Sequence, residues 1–276
     1  MSAEILNGTR LAQSIRSQIR KKLKKLNLTP GLAVIQVGDD PASTIYIKHK
    51  QRDCFKVNFH SEVHKLPANT TQQELINIIA DLSTRKNIHG ILVQMPLPAQ
   101  IDEQTVIDSI PPEKDADGLN PLNLGNLFIN REGVTPCTPT GIIRLIDSTG
   151  LPIEGQQAVC VGRSHLVGKP IGIMLLNRNA TVTYCHSRTM DLAEITKQAD
   201  ILIAAVGNPE FITADMVKPK AIVIDVGINS INDRLIGDVK FDEVKQVAGF
   251  ITPVPGGVGP LTRAMLLENT LKLAMV

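Results

Sequence analysis

The chain has 276 residues, of which 43% are hydrophobic and 20% are charged, and a length of this kind fits two modest domains with well-formed cores. Its 29 basic and 27 acidic residues leave a net charge of only +2, which argues against a dedicated nucleic-acid-binding protein. Two Tyr, six Phe and no Trp also leave few rings on which single-stranded bases or sugars could stack.

The chain opens with a predicted amphipathic helix. Its apolar residues recur at three- and four-residue steps, at Leu11, Ile15, Ile19, Leu23 and Leu26. The opposite face is basic throughout and carries Arg16, Arg20, Lys21, Lys22, Lys24 and Lys25. A face of this kind is normally solvated, and contact with the polyanionic tail of a ligand is the alternative.

The remainder of the first half alternates predicted strands with predicted helices. The strands are LAVIQVG, VNFHSEV and HGILVQMPLP. The helices are a segment from about Ser43 to Phe55, TTQQELINIIADLS and IDEQTVIDSI, and the loop PPEKDADGLNP follows them. Because helical crossovers between strands produce parallel pairing, this order predicts a parallel sheet with helices on both faces.

A second series of strands and helices follows the loop TPCTPTG. In order it comprises helix IIRLIDSTG, strand QAVCVG, helix VGKPIGIMLLNR, strand ATVTYCH, helix DLAEITKQA, strand DILIAAVG, the segment ITADMVKP and strand AIVIDVG. The loop TPVPGGVGP then leads into a last helix. We therefore predict two α/β domains, residues 1–138 and 139–261, the second with a Rossmann-type parallel sheet. The C-terminal helix, 262–276, is expected to pack back on the first domain.

The chain carries no recognisable export or metal-binding signal. Its start, MSAEILNGTR, lacks the pattern of a secretory signal, and no apolar run approaches the roughly 20 residues of a membrane helix. The cysteines, at positions 54, 137, 160 and 185, are too far apart for CxxC chemistry or a zinc ligand set. His60 and His64 have no third ligand nearby. We expect a cytoplasmic protein without a metal, a membrane or a nucleic acid as partner.

A glycine turn in the second half is the candidate nucleotide site. Gly162, Arg163 and Ser164 follow a predicted strand, and Gly168 opens the next helix. A turn in this position holds a dinucleotide pyrophosphate through backbone N–H groups and the helix dipole. The spacing is GxxxxxG rather than the usual GxGxxG. The prediction of a dinucleotide site therefore depends on the predicted strand before the turn and the predicted helix after it. A phosphate loop of ATPases is excluded, because one residue too many separates the glycines and Pro170 replaces the hydroxyl residue.

The residues after the following strand favour NADP over NAD. An NAD site usually offers an acid to the ribose 2′-hydroxyl about 20 residues past the glycine turn. Here the strand ends in His186, Ser187 and Arg188, and the next carboxylate is Asp191. Hydroxyl and guanidinium groups suit a 2′-phosphate, and Arg163 adds a second cation. Either arginine alone is more often a surface charge, whereas both at strand ends indicate NADP.

Four polar residues of the first half are candidates for chemistry. Tyr46 and Lys50 are one helical turn apart and share a face, although surface packing is the ordinary explanation of such a pair. Gln94 ends a buried strand, and Asp117 lies in a loop after another crossover. Since ligand groups collect at the carboxyl ends of parallel strands, all four could converge on one cleft.

Seven segments together resemble the bifunctional methylenetetrahydrofolate dehydrogenase/methenyltetrahydrofolate cyclohydrolase family. They are PASTIYIKHK, ILVQMPLP, KDADGLNP, GRSHLVGKP, ATVTYCHS, DVGIN and ITPVPGGVGPLT. The resemblance runs in order from EILNG to the last helix and so covers essentially the whole chain. Met95 and Leu261 stand where leucine and methionine are expected, which exchanges similar apolar groups.

The resemblance implies a folate–NADP cleft between the two domains and a set of residues lining it. The folate side comprises Tyr46, Lys50, Gln94 and Asp117, with the loop at Pro255, Gly256 and Gly257. The cofactor side comprises Gly162, Arg163, Ser164, Ser187 and Ile228, to which we add Arg188 on its charge alone. Tyr46 would stack on the pterin-side rings, and Asp117 would bond the pterin's amino and ring nitrogens. The resemblance also implies a homodimer that acts on one-carbon derivatives of tetrahydrofolate.

The implied reactions suit these residue types. Loss of hydride from the carbon between N5 and N10 leaves an amidinium cation, a step that needs orientation and no base. Hydrolysis of that cation needs proton transfers, for which a desolvated Lys50 of lowered pKa is the candidate, held by the neutral Gln94. An NADP dehydrogenase for another small substrate and an inactive NADP-sensing scaffold are the alternatives, against which Lys50 and its neighbours argue. A fused formate–folate ligase is excluded by the length and by the missing phosphate loop.

Overall fold

The computed structural model describes residues 2–231 and 234–276, which form two compact units. The three-stranded unit comprises Gln13–Cys137 and Arg263–Val276, and the six-stranded unit comprises Met1–Ala12 and Thr138–Thr262. Each is named here after its principal sheet. Both sheets are parallel with helices between the strands, so the predicted two-domain α/β fold is confirmed.

The helices and strands of the described residues alternate along most of the chain. Up to residue 128 they are β1 (Glu4–Ile5), α1 (Gly8–Leu26), β2 (Gly31–Val37), α2 (Pro41–Val57), β3 (His60–Leu66), α3 (Gln72–Thr84), β4 (Gly90–Val93), α4 (Glu103–Ser109) and α5 (Pro121–Phe128). Beyond it they are α6 (Cys137–Asp147), β5 (Gln157–Val161), α7 (Gly168–Leu176), β6 (Thr181–Cys185), α8 (Leu192–Thr196), β7 (Ile201–Ala204), β8 (Ile222–Asp225), β9 (Asn229–Ile231), β10 (Arg234–Ile236), α9 (Phe241–Val244), β11 (Phe250–Ile251) and α10 (Val258–Leu273).

The sheet of the three-stranded unit has the order β3-β2-β4. Every residue of β2 is buried, Gln36 included, as its largely apolar sequence predicts for a strand covered on both faces. The helices begin at side-chain caps: Asp40 accepts from the Ser43 N–H before α2, and Thr71 and Glu74 form a capping box at α3. Local signals in the sequence therefore set where these helices start.

The sheet of the six-stranded unit has the order β1-β11-β8-β7-β5-β6. Strand β1 pairs with β11, which is why residues 1–12 belong to this unit rather than to the predicted domain 1–138. A two-residue strand has too little pattern for a sequence to reveal its partner. Strands β9 and β10 pair antiparallel outside the main sheet.

Two details of the elements differ from the prediction. The predicted strand at 57–63 was wrong at its start, because α2 continues to Val57 and ends at Asn58 in the left-handed conformation. The helix α5 was missed, although Asn120 and Pro121 supply a cap and a first turn. Among the described residues, no helix is both long enough and apolar enough to cross a membrane.

Candidate functional site

Helix α2 carries three polar side chains on one face. Tyr46, Lys50 and Asp53 follow each other at steps of four and three residues, so they line up along the helix. Tyr46 and Lys50 are half-buried, whereas Asp53 is buried. The helix start is fixed by Asp40, whose Oδ2 accepts from the Ser43 N–H at 2.6 Å. The face of α2 that carries Tyr46 and Lys50 is therefore fixed at two points, by the Asp40 cap at the start of the helix and by the buried Asp53.

Lys50 is held by a hydrogen bond to Gln94. The Lys50 Nζ donates to Gln94 Oε1 at 2.8 Å, while Gln94 Nε2 donates to the Met95 carbonyl at 2.7 Å. The backbone N–H of Gln94 in turn donates to the Ile35 carbonyl of β2 at 2.8 Å. The amide is thus oriented with its oxygen towards Lys50, and because it is neutral it holds the ammonium group without stabilising its charge as a carboxylate would.

The pKa of Lys50 lies below its ordinary value. Burial is the main cause, since it disfavours the charged ammonium, and the nearby Arg263 guanidinium adds to the effect. Asp117 opposes both by favouring the charged form. A lysine in this state can give and accept a proton nearer to neutral pH than an exposed one, as a general acid/base requires.

Asp117 lies in a loop organised by a second acid, Asp115. The buried Asp115 carboxylate accepts from the backbone N–H groups of Gly118 at 2.9 Å and Asn120 at 2.8 Å, and from Asn123 Nδ2 at 2.9 Å. Gly118 has φ +76°, and a side chain there would overlap the backbone of Thr135. Sequence reasoning missed Asp115, although the pattern DADG is a turn signal in which the first acid bonds the following backbone.

The predicted glycine turn of the six-stranded unit has the geometry of a close strand-to-helix connection. Gly162 has φ +126°, and a Cβ there would overlap the Ala205 carbonyl oxygen; a Cβ at Gly168 would overlap the Gly162 carbonyl oxygen. Ser164 Oγ accepts from the N–H groups of Val167 at 3.2 Å and Gly168 at 3.3 Å. Both glycines are therefore required by backbone packing, and Ser164 orders the turn before α7.

The two predicted arginines follow neighbouring strands of the same sheet. Val161 of β5 is in register with Cys185 of β6, and the Gly162 N–H donates to the Cys185 carbonyl at 2.9 Å. Arg163 and Arg188 therefore lie at the same sheet edge, and both are exposed, as is Ser187. These side chains offer cations and a hydroxyl, which is the donor set that a phosphorylated ribose needs.

The remaining predicted contacts, Ile228 and the loop at Pro255, Gly256 and Gly257, also belong to the six-stranded unit. Ile228 is 47% exposed. The Gly256 carbonyl accepts from the Thr9 N–H at 3.1 Å, and a side chain at Gly8 would overlap the Gly257 carbonyl. The loop is thus packed on the first turn of α1, with Pro255 exposed.

A pair of buried acids that sequence reasoning missed fixes the loops after β7 and β8. Asp225 accepts from the N–H groups of Gly227, Asp238 and Val239 at 2.9, 2.9 and 3.0 Å. Asp238 accepts from the N–H groups of Val206 at 2.7 Å and Gly207 at 2.9 Å. Of these backbone segments, Val206 and Gly207 follow the carboxyl end of β7 and Gly227 follows that of β8, where ligands bind in sheets of this type.

Asp225 is expected to make stability depend on pH. Burial raises its pKa to about 6, so the folded state binds the proton more tightly than the unfolded chain does. Its contribution to the free energy of unfolding is then fully present below about pH 4 and is lost as the pH rises through 6, by ~3 kcal/mol. Asp225→Asn should lack this change. Urea unfolding from pH 4 to 7 tests it, with Asp147→Asn at an exposed acid as the control; parallel curves for all three proteins would contradict the assignment.

Comparisons with known proteins assign both units to one family. Residues 6–117 match the catalytic-domain model of tetrahydrofolate dehydrogenase/cyclohydrolase, and residues 136–276 match the model of its NAD(P)-binding domain. The chain is 54% identical to the bifunctional protein FolD of Moorella thermoacetica and 52% identical to that of Halalkalibacterium halodurans, over 99% of each chain.

Solved structures of similar proteins have the same fold over their whole length. The bifunctional FolD of Campylobacter jejuni superposes with a TM-score of 0.96 at 44% identity, covering 99% of both chains. The Trypanosoma brucei enzyme, complexed with NADP and an inhibitor, superposes with a TM-score of 0.96 at 37% identity, covering 100% of this chain and 98% of that one.

Proposed function

This chain belongs to the tetrahydrofolate dehydrogenase/cyclohydrolase family, and from that premise we propose the two reactions it catalyses and the residues that perform them. It oxidises 5,10-methylenetetrahydrofolate to 5,10-methenyltetrahydrofolate with NADP, and it hydrolyses that product to 10-formyltetrahydrofolate. The observation that carries the second activity is the hydrogen bond of 2.8 Å between Lys50 Nζ and Gln94 Oε1, made by a lysine whose pKa is lowered by burial.

In the oxidation step the protein binds the folate and the cofactor and orients them towards each other. NADP supplies the hydride acceptor when it is bound. We assign Tyr46 to stacking on the pterin-side rings and Asp117 to the pterin's amino and ring nitrogens; Pro255, Gly256 and Gly257 are assigned further contacts with the folate. The product is a cation, and no proton is transferred in this step. The main requirement is therefore a fixed geometry of the folate relative to the hydride acceptor.

In the hydrolysis step Lys50 moves the protons. Water adds to the methenyl carbon while the uncharged Lys50 amine takes one of its protons. The bond from that carbon to N5 then breaks, and the Lys50 ammonium returns its proton to N5. The hydroxyl proton of the adduct is released to solvent as the C–O bond becomes the carbonyl, which leaves the formyl group on N10. Gln94 keeps the Lys50 nitrogen in place through both transfers without adding a charge of its own.

We assign NADP binding to the strand ends of the six-stranded unit. Gly162 and Ser164 would meet the pyrophosphate side of the cofactor, with Ile228 beside it, and Arg163, Ser187 and Arg188 would meet the 2′-phosphate. The donor set supports this assignment, because guanidinium and hydroxyl groups stand where an NAD site has a carboxylate.

Replacing Arg163 and Arg188 together by Met should weaken NADP more than NAD. Each arginine–phosphate hydrogen bond is worth roughly 1.5–3 kcal/mol, or about tenfold to a hundredfold in affinity, so the loss of both should raise the KM for NADP at least about a hundredfold while that for NAD changes little. Initial rates with either cofactor measure this. Arg178→Met, which breaks an exposed ion pair with Asp147 in the same unit, is the control. Equal losses for both cofactors would refute the 2′-phosphate assignment.

We also infer a cytoplasmic homodimer. Strand β3 lies at the edge of its sheet, and Phe55 at the end of α2 is 83% exposed, so the three-stranded unit offers a strand edge and an apolar side chain to a second copy. The four cysteines are free and buried, which suits a reducing compartment. Light scattering should give twice the chain mass of 30.0 kDa.

One assay tests the proposed function directly. The purified protein is mixed with tetrahydrofolate, formaldehyde and either NADP or NAD, and the methenyl product and reduced cofactor are followed by absorbance. We expect both signals with NADP, followed by decay of the methenyl band as it is hydrolysed. No signal with either cofactor would reject the dehydrogenase assignment.

A further inference from the structure

The catalytic face of α2 is tied to two other helices through one buried acid. Asp53 is 2% exposed, and its Oδ2 accepts from Arg263 Nε of α10 at 2.9 Å. Arg16 of α1 places its Nη1 3.7 Å from the same oxygen, and Lys56 approaches Oδ1 at 3.8 Å. Whereas the Lys56 side chain is 51% exposed, those of Arg16 and Arg263 are 13% and 16% exposed. The ion pairs with arginine are therefore largely desolvated.

This cluster carries more positive than negative charge. Two nearly buried guanidinium groups share one carboxylate, and Arg16 Nη1 has no hydrogen-bond partner within the described part of the chain. A guanidinium group stays protonated at all relevant pH values. These permanent positive charges are anchored to Asp53, which lies one helical turn from Lys50 on the same face of α2.

The groups that face Lys50 come from four elements. They are Asp117 from the loop between α4 and α5, Cys137 at the start of α6, Cys54 on α2 and Arg263 on α10. Burial raises the pKa of Cys54 to about 12 and that of Cys137 well above its usual value, so both thiols are uncharged at neutral pH. Asp117 and Arg263 therefore supply the charges at Lys50, and they act in opposite directions.

Arg263 acts on the neighbouring side chains of α2 as well. Its charge favours the ionised form of Tyr46 and the neutral form of His49, although burial is the larger influence on the pKa of each. Asp53 itself opposes Arg263 at His49. The charge of Arg263 therefore acts on three side chains of α2, of which Tyr46 and Lys50 are assigned to folate binding.

We propose that Arg263, held in place by Asp53, is a positioning residue for the hydrolysis step. The ion pair fixes the face of α2 that carries Tyr46 and Lys50, and the guanidinium charge favours the uncharged amine of Lys50 that accepts the proton from water. This inference rests on the proposed role of Lys50, and it adds a residue far away in the sequence that sets how readily Lys50 gives up its proton.

The pH profile of the cyclohydrolase activity separates this role from a structural one. In Arg263→Met, the rise of the hydrolysis rate with pH should occur at a higher pH than in the unchanged protein. Below that pH the rate should be about tenfold lower than in the unchanged protein, and at alkaline pH the two rates should be equal. Arg263→Lys keeps the charge and should keep the profile, even if its KM changes. Lys56→Met removes an exposed cation from the same carboxylate and should also leave the profile unchanged. A uniform loss at every pH in Arg263→Met would overturn the proposal.

Chemical labelling of Lys50 gives a second readout that needs no substrate. Acetic anhydride reacts with the uncharged amine, and mass spectrometry of the Lys50 peptide as a function of pH reports its titration. Arg263→Met should shift the labelling of Lys50 to higher pH, and Arg263→Lys should not. If the unchanged protein has no cyclohydrolase activity, the proposed function fails while the labelling shift still tests Arg263. Labelling curves that coincide in Arg263→Met and the unchanged protein would overturn the inference.

Discussion

Lys50→Met is expected to abolish the hydrolysis of 5,10-methenyltetrahydrofolate and to leave the protein folded. Methionine keeps the length of the buried stem but has no nitrogen to accept a proton from water or to return one to N5. General acid/base catalysis contributes ~10²–10⁴-fold, so the rate should fall to the background of the uncatalysed reaction. Decay of the methenyl absorbance measures it. Oxidation, which needs no base, should continue.

The matched control for this variant is Lys48→Met. Lys48 lies on the same helix and is exposed, so its loss removes the same charge without touching the half-buried face. It should hydrolyse the methenyl compound at the normal rate. Undiminished hydrolysis in Lys50→Met, with circular dichroism unchanged, would remove Lys50 from the proposed mechanism and with it the role assigned to Gln94.

Gly162→Ala is expected to destabilise the six-stranded unit and to abolish the binding of NADP. The residue has φ +126°, and the new Cβ would overlap the Ala205 carbonyl oxygen, so the turn between β5 and α7 must move. A strained backbone of this kind costs about 1–3 kcal/mol before the overlap is counted. Thermal unfolding and titration of NADP by fluorescence or calorimetry measure the two effects.

Gly155→Ala separates the steric effect from the backbone effect. Gly155 also has a positive φ, +76°, but a Cβ there meets no atom within 4 Å. Its replacement should cost only the left-handed backbone penalty, about 1 kcal/mol, and NADP should bind as before. If Gly155→Ala and Gly162→Ala lose equal stability and both bind NADP, the close approach to Ala205 is not what the turn requires.

Several parts of this protein were predictable because they depend on neighbours in the sequence. The largely apolar stretch of β2 indicates a strand buried on both faces, and the turn at Gly162 is indicated by a predicted strand before it and a predicted helix after it. The pair of Tyr46 and Lys50 follows from the helical repeat. Family motifs spread along the whole chain supplied the reactions, and the two matching domain models confirm the family.

Other parts needed the tertiary structure, because their partners are far apart or weakly patterned. In the sequence Asp115 cannot be distinguished from the other acids near it. In the structure it accepts hydrogen bonds from Gly118 and Asn120, and these bonds fix the loop that contains Asp117. The sequence likewise gives no sign of what Asp225 and Asp238 do. In the structure their carboxylate oxygens accept hydrogen bonds from the backbone of the loops after β8 and β7.

Length and composition suggested two domains and a surface with nearly equal numbers of positive and negative charges. The sequence by itself determined the order of strands and helices, the glycine turn and the family. Those features are local, since they depend on periodicity, caps and short motifs. Only the tertiary structure decided that β1 joins the six-stranded sheet and that Arg263 meets Asp53 across 210 positions of sequence. Such pairings depend on how packed elements bring distant residues together in a desolvated interior, where one additional charge changes the proton affinity of its neighbours.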